Sequence, residues 1–281
     1  LPVVLHAEPY FAFREGYRCS TCHINKTGGG KRNAYGSSFT QTDYSPILEA
    51  ASDKSLDFSA ELGESFSLGM DLMVVHETLL SVDETIDDGV RNEVYKQDAQ
   101  NSFDIRSGSL YLETQLIPDM LTLYLDETIA PAGATNREAF VLYEGLPYGG
   151  YAKVGRMLLP YGIRLWDDDA FIRQVTGFNY DNQDLGVEAG VEPGMFGVNL
   201  ALSNGTQGSR DDNSSKQISS TGSVIIENFV VGGSFAFNKS RGIERTLFGP
   251  YAAVNAGPLT LMGEADWIAD SGGSDQDQIV F

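Results

Sequence analysis

Only two cysteines occur in the chain, and both fall within Cys19-Ser20-Thr21-Cys22-His23. Thiols at this spacing lie one helical turn apart, so both reach the vinyl groups of one porphyrin, and the adjacent imidazole then lies under the iron. The motif predicts one covalent haem c, attached through Cys19 and Cys22, with His23 as the proximal iron ligand. Two other chemistries use similar residues. A thioredoxin-like Cys-x-x-Cys is expected near a βαβ pattern, which is absent, and zinc wants four ligands. Beyond His23 the chain offers only His6 and His76 and no second cysteine pair.

The segment after the motif reads Ile24-Asn25-Lys26-Thr27-Gly28-Gly29-Gly30-Lys31-Arg32. Consecutive glycines let backbone approach a large planar ligand closely, and a cation beyond them can pair with a propionate. Gly29, Gly30 and Arg32, with Lys31 as an alternative cation, are therefore the candidate cofactor contacts; a plain flexible turn is the competing reading. A phosphate loop is excluded by the glycine spacing and by the absence of Ser or Thr after Lys31. For the distal iron position His6 is the first candidate, and Met70, Met73, His76 or an open position are the alternatives.

The elements that must carry this motif are set by the other residues. The chain has 281 residues, with 39 acidic against 19 basic, for a formal charge of -20. Such a balance argues against nucleic acid and favours metal cations or basic proteins. No apolar run approaches the roughly 18 to 20 residues of a membrane-spanning helix, so a membrane role would have to use strands. The start Leu1-Pro2-Val3-Val4-Leu5 suggests a mature chain whose export signal has been removed.

From Asp57 onward, apolar and polar residues alternate with a period of two. Phe58, Ala60, Leu62, Phe66, Leu68, Met70, Leu72 and Val74 share one face, and Asp57, Ser59, Glu61, Ser65, Ser67 and Asp71 the other. The pattern returns around Leu110–Leu116, Leu121–Leu125, Leu185–Val191, Phe196–Leu202, Phe229–Phe237 and Leu259–Trp267. Tight turns at Pro118-Asp119, Pro147 to Gly149, Pro193-Gly194, near Asn228 and at Gly257-Pro258 alternate with longer connections at about 79–104, 131–137, 160–183, 204–217, 239–244 and 269–277. Short turns on one rim and long loops on the other mark an antiparallel outer-membrane β-barrel; a soluble β-domain is the alternative. The expected organisation is a small irregular or helical monohaem segment over 1–52 and an all-β transmembrane barrel over 53–281. Eleven strands and the start of a twelfth at about Gln278 to Phe281 are counted, so 12 or more are expected. Because the last is short, the natural barrel is expected to be larger, about 14 to 16 strands. The inward face carries Glu61, Asp71, Glu113, Asp126, Glu188, Glu264 and Asp266, which favours cations in a lumen. The segment from Leu159 to Asp184, with Trp166, Asp167, Asp168, Asp169, Phe171 and Arg173, is long enough to fold inward as a constriction.

Phe13-Arg14, Cys19-Ser-Thr-Cys22-His23, Asn33 and Tyr35-Gly36 with Phe39 resemble the haem region of the fused outer-membrane monohaem cytochrome-porins of iron-oxidising bacteria. The Gly28 to Gly30 run is a departure from that pattern. The stretch from Val154-Gly155-Arg156 to Pro160-Tyr161-Gly162 is similar to one in phosphate-selective porins, although the inward face is acidic. The resemblance implies electron transfer across the outer membrane, between an extracellular donor or acceptor such as Fe²⁺ and a periplasmic cytochrome or multihaem cytochrome. It also places the haem beneath or inside the barrel, which insulates the cofactor, with the strands in contact with outer-membrane lipid. The alternatives are a cation-selective diffusion porin with the haem segment as plug or sensor, and a barrel subunit of a larger porin–cytochrome complex.

Overall fold

A computed structural model describes residues 9–43, 63, 65–87, 92–165, 170–180, 182–211, 213–240, 242–272 and 276–281. The predicted sites His6 and Glu61, the acidic triplet 167–169 with Trp166, and the expected strand start at 57–62 lie outside these residues. Three short helices come first: α1 (Pro9–Glu15), α2 (Cys19–Cys22) and α3 (Ala34–Asp43). Among the described residues, fifteen strands, a 3-10 turn (Pro147–Gly149) and one more α-helix, α4 (Phe171–Thr176), follow.

The strands are β1 (Phe66–Leu79), β2 (Val82–Asp87), β3 (Asn92–Gln97), β4 (Gln100–Ile117), β5 (Leu121–Ala130), β6 (Thr135–Leu146), β7 (Gly150–Leu158) and β8 (Gln183–Val191). After them come β9 (Phe196–Ser203), β10 (Gln217–Ile226), β11 (Phe229–Ser240), β12 (Ile243–Ala256), β13 (Leu259–Glu264), β14 (Asp266–Ser271) and β15 (Gln276–Val280). Thirteen of them form one sheet, ordered β1-β4-β5-β6-β7-β8-β9-β10-β11-β12-β14-β15 with β13 beside β12. From β6 to β15 the neighbours in this order pair antiparallel, which gives the meander of an all-β fold. The strand expected across 259–267 is present but broken at Ala265, in unchanged register. Ala265 there faces Pro250, whose ring nitrogen has no hydrogen to donate to the ladder.

The chain forms two compact units. The smaller comprises Met70–Leu110 and Glu127–Thr135. Within it β2 and β3 pair from Val82↔Gln97 to Asp87↔Asn92, where the sequence predicts a long loop. Val82, Thr85, Ile86, Val94 and Tyr95 supply strand propensity there, and the interspersed charges hid it. His76 also belongs to this unit; its Nε2 lies 2.7 Å from Asn101 Oδ1 and its ring centroid 4.6 Å from that of Phe103.

In the larger unit (Leu1–Gly69, Tyr111–Asp126 and Asn136–Phe281) the predicted alternation is present, and it is reversed relative to a water-soluble sheet. Leu185, Val187, Phe196, Val198, Leu200, Leu202, Phe229, Val231 and Phe248 are exposed, whereas Glu113, Asp126, Glu138, Lys153, Glu188 and Asp266 are buried. The buried face also carries tyrosines, Tyr111, Tyr124 and Tyr151, packed with Phe140, Leu142 and Met157. No helix among the described residues is long and apolar enough to cross a membrane, which says nothing of strands.

Packing on the buried face leaves little room at Gly249, where an added Cβ would lie 1.8 Å from Asp266 Oδ1 and 2.7 Å from the Ala265 carbonyl oxygen. Gly249→Ala should destabilise the folded chain by about 1–3 kcal/mol, the usual range for overpacking. Gly263→Ala, with nothing within 4 Å of the added carbon, should leave stability unchanged. Thermal unfolding followed by far-ultraviolet circular dichroism checks the pair.

Candidate functional site

The site is built on α2, a single turn closed by the His23 N–H donating to the Cys19 carbonyl at 3.0 Å. Arg18 before it and His23 after it are extended, so the turn stands alone. One turn separates Cys19 from Cys22, which puts both thiols on one helix face. The chain then folds back on itself. His23 bridges Arg32, and the Ile24 N–H donates to the Lys31 carbonyl at 3.1 Å. Asn33 ties α3 to this turn: its N–H donates to the Cys22 carbonyl (2.9 Å), its amide to the Thr21 carbonyl (3.0 Å), and its Oδ1 accepts from the Gly36 N–H (2.8 Å). Gly36 is required there, because a Cβ would lie 2.2 Å from the Cys22 carbonyl oxygen.

The tip of the returning loop docks on the polar face of the sheet. Gly28, Gly29 and Gly30 have φ of 91°, 86° and 63°, the left-handed region open to glycine. A Cβ on Gly29 would lie 2.0 Å from the Tyr180 hydroxyl and one on Gly30 2.2 Å from the Tyr124 hydroxyl. Those hydroxyls accept the Gly30 and Lys31 N–H groups, each at 2.8 Å. The Asn25 amide donates to both oxygens of Glu138 (2.9 and 3.0 Å) and accepts from Lys153 Nζ (3.0 Å), which also lies 3.1 Å from Glu188. Lys31 pairs with Glu113 at 2.7 Å and Lys26 with Glu144, so neither amine is free. Further along, Ser20 donates to Glu192 (2.8 Å) and Arg18 to the carbonyls of Gly194 and Phe196 (2.8 Å each).

Between the segment and the sheet lies a cavity whose total atom-free space, including its open mouth, is about 1430 Å³. Cys19, Cys22 and His23 line it, with Phe11, Phe13 and Phe39 supplying an apolar wall. Gly28, Gly29 and Arg32 also line it, as does the short stretch Pro160–Arg164 that follows β7. His23 Nδ1 is buried with no hydrogen-bond partner at good geometry among the described residues. Burial, then the positive charge of Arg32, pull the His23 pKa down to about 4, with backbone groups of Gly29–Lys31 pulling the other way. At neutral pH the ring is therefore uncharged, the form that ligates a metal. Burial raises the pKa of both thiols.

The stretch after β7 is fixed to the opposite wall. Tyr161 donates to Asp266 (2.9 Å), the Gly162 N–H to Ser234 Oγ (2.8 Å) and the Ile163 N–H to Glu264 (3.0 Å). Arg164 reaches the carbonyls of Leu159 (3.0 Å) and Thr27 (3.4 Å), and Arg173 of α4 forms an ion pair with Glu264.

No protein-family model matches the chain, and no characterised protein matches it significantly. Among the predicted site residues, Cys19, Cys22, His23, Gly29 and Arg32 share the cavity, and Gly30 faces Tyr180 and Tyr124 instead. Met70, Met73 and His76 lie in the smaller unit. Asn25, Glu138, Lys153, Tyr180 and Arg164 escaped the sequence reading. A local signal exists only at Lys153, a charge set between Ala152 and Val154.

Lys153→Met strips the counter-charge from Glu188 and a donor from Asn25, all with no solvent contact to compensate. It should cost about 3–5 kcal/mol, the range for breaking a buried pair. The double variant Lys153→Met/Glu188→Gln should recover part of that loss. Denaturant unfolding measures both.

Proposed function

We propose that this chain is an outer-membrane monohaem cytochrome of the cytochrome-porin kind, passing single electrons between an extracellular donor or acceptor and a periplasmic cytochrome. The observation that carries the reading is one juxtaposition. The Cys19–His23 turn lines a cavity on the polar, buried face of a sheet whose opposite face is an exposed apolar surface.

The residues present fit a haem c. Cys19 and Cys22 supply the thioether sulfurs from one helix face, and His23, uncharged and lining the cavity, supplies the iron ligand. The Arg32 guanidinium makes no hydrogen bond or ion pair with a described residue, and Arg32 lines the cavity, where it would hold a propionate. Phe11, Phe13 and Phe39 exclude water from the ring face, and Gly28 and Gly29 permit close backbone approach. His6 remains the first candidate for the distal position. Bound there, the group supplies reversible one-electron chemistry, while the protein sets access and potential.

The exposed apolar strand faces are what an outer-membrane β-barrel presents to lipid, and the buried charges are what it keeps inside. On this reading the tight turns, including Pro193-Gly194 and Asn228 beside the cavity, face the periplasm, where a soluble cytochrome docks. The acidic inner face also suits a cation-selective porin. The docked segment argues against free diffusion, since Asn25, Lys31 and the glycine tip occupy the polar face.

Purified protein should give the pyridine haemochrome spectrum of a haem with two thioether bonds. Cys19→Ala or Cys22→Ala should shift that spectrum to the one-thioether form. Anaerobic Fe²⁺ should reduce the oxidised protein; an unchanged oxidised spectrum rules out the iron role. In planar bilayers the protein should conduct poorly, and large, stable cation-selective currents would favour the porin instead.

A further inference from the structure

A second cavity, lined in part by Leu159, Thr176, Gly177, Phe178 and Asn182, has about 1080 Å³ of atom-free space including its mouth. Its lining holds three charged residues among those described, Asp184, Arg210 and Arg245. Asp184 is buried, and its carboxylate already accepts N–H groups from Leu185 (2.9 Å), Gly205 (2.5 Å), Thr206 (3.3 Å) and Gly208 (3.3 Å), and the Thr206 hydroxyl (3.3 Å). Arg245 gives Nε and one Nη to Asp270 (2.8 and 2.7 Å), leaving the other Nη. Arg210, Gln217 and Ser240 make no side-chain hydrogen bond or ion pair with a described residue. The cavity therefore offers unused guanidinium, amide and hydroxyl donors and no unused carboxylate, in a chain with 39 acidic residues against 19 basic. That is the inverse of a site for a bare metal cation.

We propose that this cavity binds a small polycarboxylate, free or as the chelate of a metal ion. An unpaired guanidinium selects an oxyanion. The surrounding amide and hydroxyl donors, on Gln217 of β10 and Ser240 of β11, suit several carboxylate groups on one ligand. The position gives the site a role that rests on the electron-transfer reading. Phe178 lines this cavity and Tyr161 the first, and their rings stack at 4.3 Å between centroids and 17° between planes. A chelated metal held here would be separated from the Cys19–His23 cavity by that one aromatic pair.

Isothermal titration calorimetry on the full detergent-solubilised chain, with citrate, ferric citrate, inorganic phosphate and Fe²⁺ as separate probes, tests the proposal. Citrate and ferric citrate should bind at one site. Arg210→Gln should weaken both by about tenfold or more, as expected for loss of a charge-assisted hydrogen bond. Gln217→Leu should weaken them less, and neither variant should change the melting temperature, since neither side chain holds the fold. Saturable ferric citrate without citrate binding would make the chelate the ligand and still support the site. No carboxylate binding, equal affinity in both variants, tighter binding of phosphate, or competition by Fe²⁺ alone would overturn it. Calorimetry does not read the haem, so absence of haem in the haemochrome assay sinks the electron-transfer reading without touching this result.

Discussion

Among the bonds that dock the motif segment on the sheet, one amide meets the most deeply buried charges. Asn25, at the tip of the loop after the motif, donates to Glu138 and accepts from Lys153, which is paired with Glu188. These three charges come from β6, β7 and β8, adjacent strands on the buried face. Left bare, a carboxylate, an ammonium and a carboxylate in so little solvent would be strongly penalised. The amide presents a donor to the one and an acceptor to the other, which no apolar side chain can do. The dependence runs both ways, because α1, α2 and α3 have only 7, 4 and 10 residues. Helices shorter than about 12–15 residues are marginal alone. The geometry of the Cys19–His23 turn is thus borrowed from the strands beneath it.

The same polar face explains the exposed one. A strand alternates sides, so committing Glu138, Lys153 and Glu188 to one side sends Val187, Val198 and Leu200 to the other. Burial of apolar area is worth about 25 cal/mol per Å², so leaving such a face to water is unfavourable over every strand that carries it. A surrounding apolar medium removes that penalty and leaves the charged side satisfied by the docked segment. Charge inside and hydrocarbon outside are one pattern rather than two.

Much of this was legible in the residue order, for local reasons. The Cys19–Cys22–His23 spacing is a one-turn property, and the alternation from Phe66 onward is a backbone property. The five tight turns stand at proline, glycine and asparagine, where the chain needs special φ or cannot continue a ladder. The contacts that matter most are not local. Tyr124 meets Lys31 and Tyr180 meets Gly30 across separations of 93 and 150 residues, and no local pattern around either tyrosine announces its partner. Gly29 and Gly30 were read as making space for a planar ligand; the tyrosine hydroxyls alone already demand both glycines. At β2 and β3 charge concealed strand propensity, because a short hairpin needs no apolar face to pair its backbone.

The segment between β7 and β8 then decides how the two cavities can communicate. Its backbone donates at Gly162 and Ile163, its side chains bond at Tyr161 and Arg164, and α4 is pinned through Arg173 to Glu264. Gly162 cannot even accept a Cβ, which would lie 2.2 Å from Glu264 Oε1. Swinging this stretch aside would break several buried bonds at once and strand Glu264 without its cation, a cost of several kcal/mol. The described parts of the segment, 159–165 and 170–180, are therefore held in place rather than free to swing. On the proposed electron-transfer reading this favours charge over solute, because a solute would have to break those bonds at each crossing, whereas the rings of Tyr161 and Phe178 are already stacked between the two cavities.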